Sequence, residues 1–196
     1  TGGQEHYRFD CKNVAVAVVG SQSRIGTTTA AVGLSAWLAR VGASVCYVET
    51  HADGHLAALA RGYEMEAEED GWQFERVHYR SMEPKEDVNF VVYDLGNELA
   101  EKRELLESAY IKLLICGTKP YELGFTVRLQ TSLAGIRAHL LCPFVAEGMK
   151  DDLADALQND YHKVMFLEYQ PELTDSDCNG KQYKNVIAKY IAGCMD

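Results

Sequence analysis

Strand-sized apolar runs alternate along this chain with segments of helical periodicity, and few folds accept that alternation. The first run, Val14–Val19, is continuously apolar, which is typical of a strand buried on both faces of a parallel sheet. A helix over 28–41 follows, and Gly42 marks its end. Later strands are predicted over 44–48, 74–79, 88–93, 111–116, 141–145 and 164–169, and later helices over 99–109, 129–140, 151–159 and 183–191. The alternation predicts right-handed βαβ units, and therefore a doubly wound α/β domain with a mostly parallel sheet.

Length and composition favour one ordinary domain. The 196 residues carry no linker or repeat, and 47% apolar content excludes wholesale disorder. No apolar run approaches the roughly 18 residues of a membrane span.

Residues 1–10 are expected to form a flexible N-terminal segment without the features of a secretion signal. The six cysteines form no C-x-x-C pair and no Cys/His cluster, so we predict neither a zinc site nor a disulfide scaffold, and expect a cytoplasmic location.

Net charge disfavours one class of partner. Nineteen basic and twenty-nine acidic side chains give a formal charge of −10, and no run of Lys or Arg is present. Each contact to a nucleic-acid phosphate needs a local cation. Nucleic acid is therefore not an expected partner, and partition through nonspecific DNA binding ranks below the other functions considered.

The loop between the first strand and the first helix is the strongest candidate for a binding site. Such a loop exposes unpaired N–H groups at a helix N-terminus, and these favour a phosphate. Gly26 allows close approach of the backbone, and Thr28 stands where a P-loop hydroxyl holds Mg²⁺. The pattern G-x-x-x-x-G-K-[ST] is not met, since Thr27 occupies its lysine position. An ordinary βα turn with a Thr-rich helix start is the alternative. The predicted nucleotide-binding residues are Ser21, Gln22, Ser23, Arg24, Ile25, Gly26, Thr27, Thr28 and Thr29.

With its neighbours, this loop resembles the ParA/MinD group of P-loop ATPases, the deviant Walker A class. Members read roughly K-G-G-x-G-K-T-T after the first strand, where this chain reads QSRIGTTT over 22–29. The stretch 30–49, the strand that ends at Asp94, and residues 111–120 also resemble that family. The resemblance implies a P-loop NTPase-like fold that binds ATP or ADP, with Mg²⁺ held by Thr28 and Asp94. A strand-end Asp that only caps the next turn is the alternative for Asp94.

The departures from the family pattern are chemically large. The family's signature lysine falls on Gln22, its ordinary Walker lysine on Thr27, and its water-positioning aspartate on His51. One charged contact to a developing oxyanion is typically worth about 2.7–4 kcal/mol, so hydrolysis is expected to be weak or lost. His51 is the one candidate catalytic residue, with an exposed loop histidine as its plainer interpretation. Arg24 is the one loop residue that could replace a lost lysine.

The resemblance also implies a type of function. Atypical Walker A loops are found in the TadZ/CpaE-like pilus-assembly and localisation proteins, which implies a positioning or assembly role in a bacterium through nucleotide-linked homodimerisation and a protein partner. Three alternatives stay open. One is a slow ATPase that uses Arg24, another is an interaction module that binds no nucleotide, and the third is a P-loop ligase or kinase with a pocket near Asp94 and Lys119.

Two further segments are weaker candidates. Residues 170–172 are a positional candidate for the loop beside the base. The closing helix carries three lysines beside its apolar stripe, so it could touch a membrane peripherally, although packing against the sheet is the plainer interpretation. Those lysines are Lys181, Lys184 and Lys189.

Overall fold

The computed structural model describes residues 5–175 and 177–195. Its strands are β1 (Tyr7–Arg8), β2 (Val14–Gly20), β3 (Val45–Glu49), β4 (Glu66–Glu68), β5 (Gly71–Phe74), β6 (Val77–Arg80), β7 (Phe90–Asp94), β8 (Ile111–Ile115), β9 (Ala138–Pro143), β10 (His162–Leu167) and β11 (Gly193–Cys194). Its helices are α1 (Thr27–Arg40), α2 (His55–Gly62), α3 (Leu99–Ser108), α4 (Leu123–Ser132), α5 (Lys150–Leu157) and α6 (Gly180–Ile187), with short 3₁₀ turns at Glu147–Met149 and Ala188–Tyr190.

Nine of these strands form one sheet in the order β10-β9-β8-β2-β7-β3-β6-β5-β4. The seven strands from β10 to β6 are parallel, and β5 and β4 extend the sheet as antiparallel strands. This is the mostly parallel α/β sheet that the sequence predicts. The carboxyl ends of β2, β3 and β7 lie side by side, because Val18 pairs with Asp94 and Asp94 pairs with Glu49.

Helices cover both faces of the sheet. Val16 and Val18 of β2 face a core that includes α1, α2 and α6, whereas Ala17 and Val19 face a second core with α3, α4 and α5. The alternation follows from the two-residue period of a strand. Helix α1 is buried on nearly all sides, and a fully buried side chain such as Leu34 stabilises the fold by about 1.5–3 kcal/mol. The helix is therefore held firmly, and its N-terminus points out at the carboxyl edge of the sheet.

Two predicted elements are wrong. The strand predicted over 74–79 is a hairpin, since Glu75 and Arg76 both adopt positive φ and turn the chain between β5 and β6. The helix predicted over 129–140 ends at Ser132, because Gly135 turns the chain at φ 80° and leads into β9. The prediction extends too far because Ile136 and Leu140 continue the apolar spacing beyond the turn at Gly135.

Part of the segment expected to be flexible is packed on the domain. Residues 1–4 lie outside the described residues, but Tyr7 is buried and pairs with Cys194 in the β1–β11 ladder. Its N–H donates to Val41 O at 2.7 Å. The apolar ring of Tyr7 explains the difference, because it supplies burial that a solvated tail lacks.

Among the helices of the described residues, none combines the length and apolarity needed to cross a bilayer. The closing helix packs against the sheet, with Tyr183, Val186 and Ile187 buried in the core.

Candidate functional site

The first turn of α1 presents main-chain N–H groups that are not used by the fold. Within the described chain, the amides of Gly26, Thr27, Thr28 and Thr29 have no hydrogen-bond acceptor, and no side chain caps the helix. Ala30 is the first to be satisfied, by Gly26 O at 2.9 Å. Free amides and the helix dipole together make this end of α1 favourable for an anion.

Two glycines shape the loop that leads into α1. Gly20 ends β2 where a Cβ would collide with the side chains of Thr27 and Ile25, so the loop can fold back only over a glycine. Gly26 has φ 102° and open space where a Cβ would stand. The backbone at Gly26 is therefore exposed to any group that approaches the helix N-terminus.

A cleft of about 550 Å³ opens in front of these amides. It is lined by Gln22, Ser23, Arg24, Gly26, Thr27, Thr28, Thr29, His51, Asp53, His55, Gly96 and Asn97. The cleft thus joins the predicted loop to the ends of β3 and β7, as expected for parallel strands whose carboxyl ends meet at one edge. No lysine from the described part of the chain lines it, and Arg24 is its one guanidinium.

Asp94 is a buried carboxylate directly behind two residues that line the cleft, Thr28 and His51. Its side chain is 0% exposed, and it accepts hydrogen bonds from the Thr28 hydroxyl at 2.8 Å and the Tyr47 hydroxyl at 2.6 Å. The Gly96 N–H donates to its other oxygen at 3.0 Å. Burial acts to raise the pKa of Asp94, but His51, Tyr47, Gly96 and Thr28 outweigh it and hold that pKa below its usual value. Asp94 is therefore an anion that organises its surroundings.

His51 lies against Asp94 and is buried, contrary to the exposed loop histidine that the sequence favours. Its side chain is 1% exposed, with Nε2 3.2 Å from Asp94 and Nδ1 3.2 Å from Asp53. Neither ring nitrogen has the geometry of a hydrogen bond to a described residue. The Asp94 carboxylate raises the pKa of His51 against the opposing effect of burial. Gly96 lies in the turn after β7 and has no side chain, so this turn packs directly against the His51 ring. The ring is therefore enclosed.

Sequence reasoning missed the contribution of α2. His55, the first residue of that helix, places its ring centroid 5.3 Å from that of His51 and its Nδ1 3.1 Å from the Thr28 hydroxyl. Glu49, His51 and His55 each bring one ligand-type atom within 4.8 Å of the others. The spacing His51-x-x-x-His55 was a usable signal, although the sequence was interpreted as having no Cys/His cluster.

A smaller slot of about 150 Å³ lies beside the loop on its other side. Ile25 and Gln170 help to line it, and Phe144 and Tyr169 stand at its mouth with ring centroids 6.2 Å apart. Gln170 belongs to the segment 170–172 that the sequence marks as a base-side candidate. The slot is apolar enough to accept a flat ring.

The remaining candidates lie outside the main cleft. Ser21 anchors the loop, because its N–H donates to Ile115 O at 2.9 Å, while its hydroxyl accepts from Gly117 N–H at 3.4 Å. Ile25 is buried and faces the smaller slot. Lys119 does not line the cleft, and its ammonium lies 6.0 Å from the centre of the Tyr121 ring.

The architecture matches the fold of several solved structures. No protein-family model and no curated protein matches the chain. A proposed plasmid partition protein of Borrelia burgdorferi B31, bound to AMPPNP, matches with a TM-score of 0.58 and 11% identity over 90% of this chain and 97% of that one. The MinC:MinD cell division protein complex of Aquifex aeolicus matches with a TM-score of 0.63 and 10% identity, over 89% and 95%. This chain has the ParA/MinD fold.

A third match agrees. A ParA family ATPase from Chlorobium tepidum TLS gives a TM-score of 0.57 and 11% identity over 90% of this chain and 93% of that chain. At such identity the likeness concerns the ParA/MinD fold. The chemistry of this cleft depends on its own residues.

Proposed function

We propose that this protein binds ATP or ADP with Mg²⁺ at the N-terminus of α1 and acts as a nucleotide-linked switch in assembly or positioning, with little or no hydrolysis. The observation that carries the proposal is the set of unused amides from Gly26 to Thr29, which face a cleft large enough for a nucleotide's phosphates. The AMPPNP bound to the structurally similar Borrelia protein supports the same ligand class.

The residues beside the amides fit a magnesium ion. The Thr28 hydroxyl donates its hydrogen bond to Asp94, so its oxygen keeps lone-pair capacity as a hard donor of the kind that Mg²⁺ prefers, although His55 Nδ1 lies 3.1 Å from the same oxygen. Asp94 stays ionised and holds that hydroxyl in place. Bound Mg²⁺ would neutralise charge between phosphates, and Thr28 and Asp94 would hold it.

The cleft lacks the cations that fast phosphoryl transfer uses. Phosphoryl transfer depends on positive charge placed around the transferring group. Gln22 and Thr27 stand at the lysine positions of the family pattern, and Arg24 is exposed. Amides alone hold phosphates without stabilising the extra charge of a transition state to the same degree, which supports binding over turnover.

A nucleotide-linked switch requires contacts that connect the phosphate-binding loop to a surface where a partner can bind. Ser21 contacts Gly117, and Gly117 O accepts a hydrogen bond from the buried Thr126 hydroxyl of α4 at 2.7 Å. Helix α4 exposes Phe125 and Val127 to solvent. Ordering of the loop by a phosphate would thus reach an apolar face suited to a protein partner or a second copy of the chain, which fits a TadZ/CpaE-like role in assembly or positioning.

Nucleotide titration with a matched glycine pair tests this proposal. Gly26→Val places a side chain in the cleft at positive φ, at a strain of about 1–2 kcal/mol. Gly135→Val introduces a comparable strain at φ 80° in open space away from the cleft. We expect calorimetric binding of ATP–Mg²⁺ that Gly26→Val abolishes and Gly135→Val preserves. Absence of binding to the wild type, or equal binding by both variants, would favour an interaction module without nucleotide.

A slow ATPase is the second candidate, because Arg24 lines the cleft. Steady-state phosphate release separates the two. The switch predicts release near background in the wild type and in Arg24→Ala. The ATPase predicts turnover that Arg24→Ala abolishes and that Arg103→Ala, an exposed change on α3, leaves intact.

A further inference from the structure

Two histidines and a glutamate converge at the edge of the cleft. Glu49 ends β3, His51 follows it, and His55 begins α2, so the turn between β3 and α2 brings the three together. One ligand-type atom from each lies within 4.8 Å of the other two. Two imidazoles and one carboxylate around a common point are a donor set typical of divalent transition metals.

His51 is a buried polar side chain that lacks hydrogen bonds to the described residues. Both its nitrogens are buried, and neither has a hydrogen-bond partner among residues 5–175 and 177–195. A buried polar atom without a partner destabilises the fold, because it gives up hydrogen bonds to water without replacing them. A metal ion at one nitrogen would remove that cost.

The surroundings of His51 are those of a metal-binding imidazole. A ligating histidine usually gives its other N–H to a carboxylate, which fixes the ring. Here each nitrogen has a carboxylate oxygen at 3.2 Å, from Asp53 on one side and Asp94 on the other. Whichever nitrogen binds the ion, the other keeps a carboxylate oxygen 3.2 Å away.

The carboxylate of the group is also oriented. Glu49 is buried, and one of its oxygens accepts the Leu56 N–H at 2.8 Å. The other oxygen makes no hydrogen bond to a described residue and is available as a ligand. Leu56 lies next to His55 in the first turn of α2, so the same turn positions two of the three ligands.

We propose that Glu49, His51 and His55 form a binding site for a divalent transition-metal ion of the Zn²⁺ type, with an open coordination position that faces the cleft. His51 and His55 line the cleft, and three protein ligands leave a fourth position free in a tetrahedral site. Nitrogen donors distinguish this site from the oxygen site at Thr28, because Mg²⁺ prefers oxygen.

The open position gives the ion a role toward phosphate. A transition-metal ion there would bring positive charge into a cleft that lacks lysine, and a phosphate oxygen is a suitable fourth ligand. This last step rests on the proposed nucleotide site, whereas metal binding itself does not.

Calorimetry with Zn²⁺ on nucleotide-free protein, after chelator treatment, tests the site. We expect one equivalent to bind, with Mg²⁺ in excess unable to compete. His55→Ala removes an exposed ligand, and Glu49→Gln keeps an oxygen acceptor for Leu56 N–H, so both variants should fold. Each should lower Zn²⁺ affinity at least about tenfold. His78→Ala, which removes a histidine paired with Glu68 on β6, should leave it unchanged.

Visible absorption of Co²⁺-loaded protein gives a second readout, because its intensity and position report nitrogen ligands and coordination number. We expect a low-coordinate spectrum in the wild type that His55→Ala alters. Failure of the wild type to bind one equivalent, or an equal loss in His78→Ala, would overturn the metal site and leave His51 as a buried histidine between Asp53 and Asp94. ATP–Mg²⁺ binding measured without transition metal tests the proposed nucleotide site separately, so either proposal can fail without the other.

Discussion

The Thr28 hydroxyl lies 2.8 Å from Asp94 Oδ2, joining the first turn of α1 to the end of β7 across 66 positions of sequence. This contact links a candidate phosphate cradle to a buried carboxylate. We expect Thr28→Ala to weaken the tightening of ATP binding by Mg²⁺. A hydrogen bond to a charged group is worth about 1.5–3 kcal/mol, so the Mg²⁺-dependent part of the affinity should fall about 10–150-fold.

The matched control is Thr131→Ala on α4, whose hydroxyl only donates to Val127 O at 2.8 Å. Titrations of each variant with ATP, with and without Mg²⁺, measure the difference. Retention of the Mg²⁺ effect in Thr28→Ala would remove Thr28 from the metal position.

Tyr47→Phe tests how much the buried carboxylate contributes to stability. The Tyr47 hydroxyl donates to Asp94 at 2.6 Å, and its loss should cost about 1.5–3 kcal/mol in the free energy of unfolding. Tyr79 packs beside it with ring centroids 5.5 Å apart, and its hydroxyl makes no hydrogen bond to a described residue. Tyr79→Phe should therefore cost much less. Urea denaturation measures both, and equal losses would contradict the role given to the Asp94 contact.

Tyr169→Ala tests the slot beside the loop as a base site. Stacking of a base on an aromatic ring is worth about 1–3 kcal/mol, so ATP affinity should fall about 5–150-fold. Affinity for inorganic tripolyphosphate should not change, since it has no base. Tyr121→Ala is matched in exposure, because both side chains are 70% exposed. A parallel loss for ATP and tripolyphosphate would place the effect in the phosphate site.

Stability should depend on pH through the Arg80–Glu86 pair. The hydrogen bond from Arg80 lowers the pKa of Glu86 to about 2 from 4.5. Because the folded pKa is the lower one, the pair stabilises the fold above pH 4.5, and that stability is lost as pH falls toward about 2. Solvent screens part of the effect, since Glu86 is 43% exposed.

Acid unfolding curves of wild type and Glu86→Gln measure this effect. The two proteins should converge between about pH 4.5 and 2, whereas Glu104→Gln, an exposed change on α3, should follow the wild type throughout. A constant gap between wild type and Glu86→Gln over that range would contradict the assignment.

Local signals made the sheet and the phosphate loop predictable. The apolar run of β2, the turn at Gly26 and the helix after it are adjacent in sequence, so pattern and position agree. Asp94 was predictable for the same reason, since it follows the apolar strand β7 directly.

Contacts between distant segments explain what the sequence did not predict. His51 is buried because Gly96 and α2 enclose it. The residues next to His51 in the sequence give no sign of this burial. Helix α2 is short, and its residues form no long periodic stretch. The β5–β6 hairpin depends on positive φ at Glu75 and Arg76, residues that rarely indicate a turn.

The pairing of β1 with β11 has a mechanical consequence. Tyr7 lies opposite Cys194 at the edge where β2 and β7 begin, and the cleft lies at the other edge of the sheet. A pulling force applied through these two strands would unzip their short ladder before it loads the large sheet. A fluorophore or surface tether attached near this pairing would likewise leave the opposite edge unobstructed, which makes it the natural handle for single-molecule work on this chain.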